Sequence, residues 1–248
     1  MSSGSFARTW TAFTRWWQES AIETGALTTT CRLVRNLWDF ARDSTAEQRQ
    51  RRYGDMEYDW EHRVDTTSGT VGWRVRLLGL FHSPYQPTDP ALFCEMMASL
   101  AIEFEQFSFL DLGSGKGRTL LMASDYPFRR IVGVELVPEL HRVAQENLAR
   151  YRSARQKCFR LEAICRDAAD FPFPIEPLVI YLFDPLPRSG LKRVVAELEA
   201  SLRAHPREVF VLYHNPLLER TLRESTALAR RDCGSPQYCL YASTQAGG

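Results

Sequence analysis

Short apolar runs alternate with amphipathic segments over the second half of this chain. Runs of four to eight mostly apolar residues are typical of buried strands. Five such runs lie at 109–112, 131–135, 158–165, 178–183 and 208–213. Apolar residues recurring every three or four positions predict helices between them. These helices lie at 118–124, 138–155 and 189–204. Strands that alternate with helices predict an α/β fold with a mostly parallel sheet.

Two further elements flank this alternating region. A helix is predicted over residues 91–103, because Asp89 can cap its first turn and Pro90 suits the first helical position. The tail at 227–243 predicts two antiparallel strands that turn near Gly234. The sheet is therefore expected to end in a hairpin.

Aromatic and aliphatic residues also recur at helical spacing near the N-terminus. The first predicted stripe contains Phe6, Trp10, Phe13 and Trp17, and the second contains Leu27, Cys31, Val34, Trp38 and Ala41. Two amphipathic helices are therefore predicted. They can pack on the following domain, form a lid over a cofactor, or dock a partner or a membrane face. We divide the chain into a helical extension at 1–60 and a main domain at 61–248.

The composition is that of an ordinary globular protein. The chain has 248 residues and a net charge of +1, so bulk charge gives no argument for nucleic acid or a membrane as a partner, and nucleic acid is not an expected partner. Its six cysteines include no Cys-x-x-Cys pair, which argues against a zinc site and a disulfide framework. No signal-peptide pattern and no apolar run of membrane-spanning length is present. We therefore expect a cytoplasmic protein.

A glycine-rich turn follows the first of the five strands. The acid Asp111 precedes Gly113, Gly115 and Gly117, which fall at every second position, and a helix is predicted directly afterwards. Glycine permits a tight turn and lets a ligand approach the backbone closely. A strand, a glycine turn and a helix N-terminus together make a nucleotide-type pocket.

The spacing of this turn distinguishes between cofactors. A dinucleotide fingerprint requires glycine where Arg118 stands, and a P-loop requires Ser or Thr, not Gly117, after Lys116. The remaining pattern, acid-x-Gly-x-Gly-x-Gly, resembles the first motif of the class I S-adenosylmethionine (SAM) dependent methyltransferases. The resemblance implies that SAM is the cofactor and that Asp111 and the turn, including Ser114, contact it. A carboxylate suits a ligand with a cationic amino-acid tail and no phosphate.

The later strand ends carry residues of the type that this resemblance requires. Glu135 lies 24 positions after Asp111 at the end of the second strand. The resemblance implies that Glu135 binds both ribose hydroxyls and that Asp167 approaches the adenine amino group. It also implies that Asp184 and Pro185, after the fourth strand, form the reactive loop that orients the acceptor.

A proline-rich segment before the glycine turn adds a second resemblance. Residues 84–88, Pro-Tyr-Gln-Pro-Thr, resemble a segment of lysine methyltransferases such as the family acting on the ATP synthase c-subunit, and the seven-strand histone-lysine methyltransferases carry a comparable element. This resemblance implies that Tyr85 and Thr88 close over the SAM tail. An amine, such as a protein lysine, is then an expected acceptor. The segment after Pro185 departs from Asn/Asp-Pro-Pro-Tyr, which argues against DNA adenine methylation.

The two resemblances define the expected protein. Its fold is a doubly wound, mostly parallel, seven-stranded sheet with helices on both faces, and its terminal hairpin resembles the reversed seventh strand of the methyltransferase sheet. Its expected activity is methyl transfer from SAM. Two alternatives remain open: a Rossmann-type oxidoreductase, and a non-catalytic SAM-fold scaffold. The five histidines show no metal-ligand spacing, and His214 is the one at a predicted strand end.

Overall fold

The computed structural model describes residues 56–67, 86–183 and 186–244, together with separate positions between 14 and 34. The chain divides into two compact units. One comprises Met1–Tyr58 and Thr67–Pro87, and the other comprises Asp59–Thr66 and Thr88–Gly248. In the described residues, no helix is long and apolar enough to cross a membrane.

The described positions of the first unit are mostly helical. Thr29 and Thr30 donate their hydroxyls to the carbonyl oxygens four residues earlier, at Gly25 and Ala26. Leu27 and Val34, from the second predicted stripe, are exposed.

The second unit contains a seven-stranded sheet in the order β3-β2-β1-β4-β5-β7-β6. Strands β1 to β5 pair in parallel, whereas β7 runs antiparallel to β5 and β6. The strands are β1 (Ser108–Leu112), β2 (Arg130–Glu135), β3 (Leu161–Cys165), β4 (Leu178–Phe183), β5 (Val209–His214), β6 (Leu228–Arg231) and β7 (Tyr238–Ser243). The predicted seven-stranded sheet and its terminal hairpin are confirmed.

The α-helices connect these strands or precede them. They are α1 (Met56–His62), α2 (Pro90–Ala98), α3 (Arg118–Ala123), α4 (Pro138–Arg150), α5 (Arg188–Ala204) and α6 (Glu219–Arg223). Short 3₁₀ turns lie at Phe104–Gln106 and Ala168–Asp170.

Helix α2 begins as its sequence predicts and ends earlier than predicted. Asp89 accepts a hydrogen bond from the Leu92 amide at 3.0 Å, and Pro90 is the first helical residue. The helix stops at Ala98, and Ala101 then takes a positive φ of 48°. The predicted continuation to residue 103 is therefore wrong.

Two other predicted boundaries are also too long, for local reasons. Helix α4 stops at Arg150 because Tyr151 adopts an extended backbone, with ψ of 132°. Strand β3 begins at Leu161, which pairs with Ile131 near the start of β2. The residues before Leu161 instead approach α3, and the Cys158 amide bonds to the Ser124 carbonyl oxygen.

Apolar side chains cover both faces of the sheet. One face has a core in which Leu110, Ile180 and Val211 of the strands join Leu191 and Leu198 of α5. The other face has an aromatic cluster that contains Phe93 of α2 and the ring residues Phe109, Phe128 and Tyr181. Burying apolar area of this kind is the main favourable term in folding, at about 25 cal/mol per Å². The sheet's carboxyl edge remains as the place for polar side chains.

Candidate cofactor and active site

The glycine turn lies at the carboxyl end of β1 and requires its glycines. Gly113, Gly115 and Gly117 have φ values of 97°, 54° and 82°, which other residues rarely adopt. The amides of Gly113 and Ser114 both donate to the Val134 carbonyl oxygen, at 2.8 and 3.0 Å. The turn is therefore attached directly to strand β2.

Glu135 closes the turn from the end of β2. Its carboxylate accepts hydrogen bonds from the Gly115 amide at 2.8 Å and from the Val137 amide at 2.7 Å. The side chain is 7% exposed, and burial raises its pKa, although these backbone bonds oppose the rise. Because the Gly115 amide already binds a carboxylate, it is not free for a pyrophosphate. The turn therefore differs from a dinucleotide site.

Asp111 is a second buried acid beneath the same turn. It lies in β1, which pairs with β2 and β4, is 2% exposed, and accepts a hydrogen bond from the Thr119 hydroxyl. Burial raises the pKa of Asp111 to about 7, the Thr119 bond opposes this, and Glu135 adds to it. Two buried carboxyls with raised pKa values make a site that favours a cationic ligand, because a cation restores the charged form of each acid.

A close contact between the turn and β2 shapes the same pocket. A Cβ atom at Gly133 would lie 2.6 Å from Leu120 Cδ1 and 2.7 Å from Ser114 Oγ. Glycine at position 133 is therefore required for the turn to approach β2. The Ser114 hydroxyl lies against Gly133, is buried, and has no hydrogen-bond partner in the described structure.

Three further residues attach the preceding chain to the turn, and we call them the Lys116 clamp: Asp65, Lys116 and Asn147. Lys116 Nζ lies 2.7 Å from Asp65 Oδ1, and the Lys116 side chain is 2% exposed. Asn147 Nδ2 donates to the carbonyl oxygens of Asp65 and Lys116, at 2.8 and 2.9 Å. The Asp65 amide donates in return to Asn147 Oδ1 at 2.9 Å. The clamp joins α4 and residue 65 to the backbone of the glycine turn.

Asp167 lies beside Glu135 at the end of β3. Its carboxylate caps the following 3₁₀ turn and accepts a hydrogen bond from the Ala169 amide at 2.9 Å. The preceding Arg166 amide donates to the Glu135 carbonyl oxygen at 3.0 Å. The carboxyl ends of β2 and β3 therefore bring Glu135 and Asp167 to the same edge, as the sequence predicts for parallel strands.

Thr88, Tyr181 and His214 form a hydrogen-bonded chain near the ends of β4 and β5. Thr88 Oγ1 lies 2.7 Å from the Tyr181 hydroxyl, which lies 2.9 Å from His214 Nδ1. The imidazole also stacks on Phe183, with ring centroids 3.8 Å apart. Burial lowers the pKa of His214 to about 4, against a smaller opposing effect of Asp89. The ring is therefore neutral at pH 7.

Three predicted site residues lie outside the described residues: Tyr85, Asp184 and Pro185. Of the predicted site, the structure brings together the glycine turn, Asp111, Glu135 and Asp167 at one edge. Among the described residues, no cluster of His, Cys, Asp or Glu is placed to hold a metal.

The partners of Lys116 were not predicted from the sequence. The lysine itself was a signal, since a cation inside a buried turn needs an acid. The chain offers 30 acids, and spacing alone does not select Asp65. The hydrogen bonds of the Tyr181 hydroxyl were not predicted either, because the run 178–183 is otherwise apolar.

Comparisons with known proteins agree with this geometry. Residues 109–205 match a family model described as a methyltransferase domain. A curated protein of Chlamydia muridarum, named an uncharacterized RNA methyltransferase, is 35% identical over 114 residues. The match covers 45% of this chain and 26% of that protein, so the chain spans about a quarter of its relative's length.

Solved structures with a similar arrangement include two methyltransferases bound to SAM analogues. An RNA methyltransferase from Salinibacter ruber, in complex with S-adenosyl-L-homocysteine, is 18% identical with a TM-score of 0.42, covering 65% of this chain and 95% of that one. The glycopeptide N-methyltransferase MtfA, in complex with sinefungin, is 11% identical with a TM-score of 0.47, covering 66% and 90%.

A mostly parallel seven-stranded sheet with a glycine turn and two buried acids at its carboxyl edge defines a Rossmann-like domain of the class I methyltransferase type. With the family match, residues 109–205 are a class I SAM-dependent methyltransferase domain, and SAM is the cofactor of this class. The residues present fit SAM, because the two buried acids, Asp111 and Glu135, suit its cationic groups. The charge-based expectation against nucleic acid is not supported, since the curated relative carries the name of an RNA methyltransferase.

Proposed function

We propose that this chain transfers a methyl group from SAM to an amine acceptor. The observation that carries the proposal is the pair of buried acids, Asp111 and Glu135, at a glycine turn whose Gly115 amide is already bonded. This arrangement favours a cationic ligand and disfavours a pyrophosphate.

The proposed roles follow from the position of each group. Glu135 holds the ribose hydroxyls, Asp167 approaches the adenine amino group, and Asp111 stabilises the cationic tail. Ser114 supplies a further hydrogen bond from within the turn. When bound, SAM supplies an electrophilic methyl group on a sulfonium. The protein then has to align the acceptor and exclude water, and positioning of this kind lowers a barrier by about 7–11 kcal/mol in favourable cases.

The acceptor side of the proposal rests on the segment after β4. Asp184 and Pro185 are proposed to orient the acceptor amine, and Tyr85 and Thr88 to close over the cofactor tail. A protein lysine and an amino group of a nucleobase both satisfy this chemistry. His214 is neutral at pH 7 and lies at the adjacent strand end, so it adds no charge that would repel a protonated amine.

The two alternative functions are not favoured. An oxidoreductase would need a turn open to pyrophosphate, and the third fingerprint glycine is replaced by the buried Arg118. A non-catalytic scaffold would not need acids that are buried at a cost in solvation energy. Both acids are retained beneath the turn.

Calorimetry with SAM, S-adenosylhomocysteine and NAD tests the cofactor. We expect saturable binding of the first two and none of NAD. Saturable NAD binding, or no heat with SAM, would contradict the proposal.

Transfer is tested with radiolabelled SAM and a lysate of the source organism, separated into protein, nucleic acid and small molecules. The Asp184→Ala variant should lose about 100-fold in rate with unchanged SAM affinity, because a misplaced acceptor costs that much. Asp184→Asn, which keeps an acceptor oxygen, is the matched control and should retain more activity. Absence of label from all three fractions would refute transfer.

A further inference from the structure

A small cavity of about 150 Å³ opens between α5 and α6 on the methyltransferase unit. We call it the cationic cleft, and it is lined by Arg188, Lys192, Arg220, Thr221 and Glu224. Complete small-molecule sites usually enclose about 300–1,000 Å³. The cleft is therefore large enough for one charged group of a ligand, but not for a whole cofactor.

Three cations and one acid line the cationic cleft. Arg220 Nε lies 2.7 Å from Glu224 Oε1 one helical turn away, and both side chains are exposed. The pKa of Glu224 is lowered, first by the hydrogen bond from Arg220 and then by the charges of Arg220, Lys192 and Arg188. The positive charges of all three side chains therefore act on the Glu224 carboxylate. An exposed ion pair of this type is weak, so a more highly charged anion can displace Glu224.

The start of α5 adds to the same positive potential. Arg188 is the first residue of this 17-residue helix, whose N-cap, Pro187, makes no side-chain capping bond. The first turn of a helix carries partial positive charge on its amide groups, which favours anions. Lys192 follows one turn later, so both side chains lie on the same side of the helix.

The two helices that line the cationic cleft follow the strands of the proposed acceptor side. Strand β4 ends at Phe183 and leads into α5, whereas β5 ends at His214 and leads towards α6. Ligands of open α/β sheets bind outside the carboxyl ends of the strands. The cleft is built from the helices that follow the two strands of the proposed acceptor side.

We propose that the cationic cleft binds a phosphate group of the methyl acceptor. The inference rests on the proposed function and narrows its acceptor to a phosphate-bearing molecule. Arginine matches phosphate oxygens with two parallel N–H bonds, and three cations balance a dianion better than a single carboxylate. The phosphate can come from a nucleic-acid strand or from a small phosphorylated amine. RNA and small phosphate probes distinguish these two sources.

The test compares the whole protein with two charge-removing variants. A double variant, Lys192→Gln with Arg220→Gln, removes two cations of the cleft. The control, Arg203→Gln, removes an exposed cation at the other end of α5. Binding is measured by fluorescence anisotropy with a labelled single-stranded RNA 12-mer and by calorimetry with inorganic pyrophosphate and adenosine monophosphate. Thermal unfolding of each variant verifies that it is folded.

We expect the double variant to lose at least tenfold in affinity for one class of probe, with a change below twofold in the control. For RNA, the slope of log affinity against log salt should also fall by about one per removed cation. Loss confined to RNA assigns the phosphate to a strand, whereas loss for pyrophosphate or the monophosphate assigns it to a small molecule. If no probe binds, or if the double variant matches the control with every probe, the inference is wrong.

Failure of this inference is distinguishable from failure of the proposed function. SAM affinity is measured for the same three proteins and should change by less than twofold. If SAM binds but the double variant binds the phosphate probes as well as the control does, only the inference about the cationic cleft is wrong. Absence of SAM binding in the unaltered protein overturns the proposed function, whatever the phosphate probes show.

Discussion

The cofactor edge, formed by the ends of β1 to β3, differs in construction from the acceptor edge at the ends of β4 and β5. At the cofactor edge, backbone groups make most of the key bonds: the amides of Gly115 and Val137 hold Glu135. At the acceptor edge, side chains distant in sequence meet, as Tyr181 and His214 do across 33 positions. A site built from local backbone turns can be predicted from a sequence pattern. A site built from side chains that are distant in sequence cannot be predicted in this way.

Glu135→Gln is expected to have the largest effect on SAM affinity, and it tests whether Glu135 belongs to the cofactor edge. The carboxylate accepts from two amides, whereas glutamine has one acceptor oxygen and must turn its NH₂ group towards Gly115 or Val137. We expect SAM affinity to fall about 50-fold, which corresponds to about 2.3 kcal/mol. Isothermal calorimetry measures it, with the exposed Glu162→Gln in β3 as the control. An effect below threefold would remove Glu135 from the cofactor edge.

The pH dependence of SAM affinity sharpens the role of Asp111, whose pKa is raised to about 7 by burial. A bound cation lowers that pKa, so binding below pH 7 releases a proton. SAM affinity should therefore rise with pH, by up to about tenfold per unit below 7, and level off above it. The groups that act on Asp111 are Glu135, Thr119 and Tyr181.

Asp111→Asn should flatten the profile between pH 5.5 and 8, because the amide does not titrate. The raised pKa of Asp111 also makes the stability of the ligand-free protein depend on pH. The folded pKa lies above the usual value of 3.8, so the stability contributed by protonated Asp111 is lost as pH rises towards 7. A profile that stays sloped in Asp111→Asn would assign the titration to another group.

The pattern of apolar runs predicted the sheet because buried strands need such runs wherever they lie. It failed where one backbone angle decides the boundary, as at Tyr151, which ends α4 five residues early. The short helix α6 was not predicted, since Glu219–Arg223 contains a single apolar residue. For the site, the glycine spacing indicated the turn. The partner of Lys116 was out of reach, because the contact with Asp65 joins chain segments 51 positions apart.

The Lys116 clamp lies between the two kinds of construction, because side chains there hold a backbone turn. Asn147→Leu removes three hydrogen bonds from a residue that is 1% exposed. We expect a loss of about 3 kcal/mol in stability and about a fivefold loss in SAM affinity. Chemical denaturation and calorimetry measure the two quantities.

Gln145→Leu is the matched control for the clamp, because it removes an exposed amide from the same helix. It should change neither quantity beyond 0.5 kcal/mol or twofold. A stability loss in Asn147→Leu without any change in SAM affinity would show that the clamp holds the fold but not the turn.

Tyr181→Phe produces the smallest expected effect and separates the two edges most finely. Removing the hydroxyl leaves Thr88 and His214 without their shared partner. We expect about 1 kcal/mol less stability, a SAM affinity within twofold, and a few-fold lower methyl-transfer rate at saturating SAM. The control is Tyr241→Phe in β7, which removes a buried tyrosine's hydrogen bond to Glu219 at the start of α6 and should leave transfer unchanged. If Tyr181→Phe weakens SAM binding more than it slows transfer, the Tyr181 hydroxyl belongs to the cofactor edge. Strand β4 would then contribute to both edges.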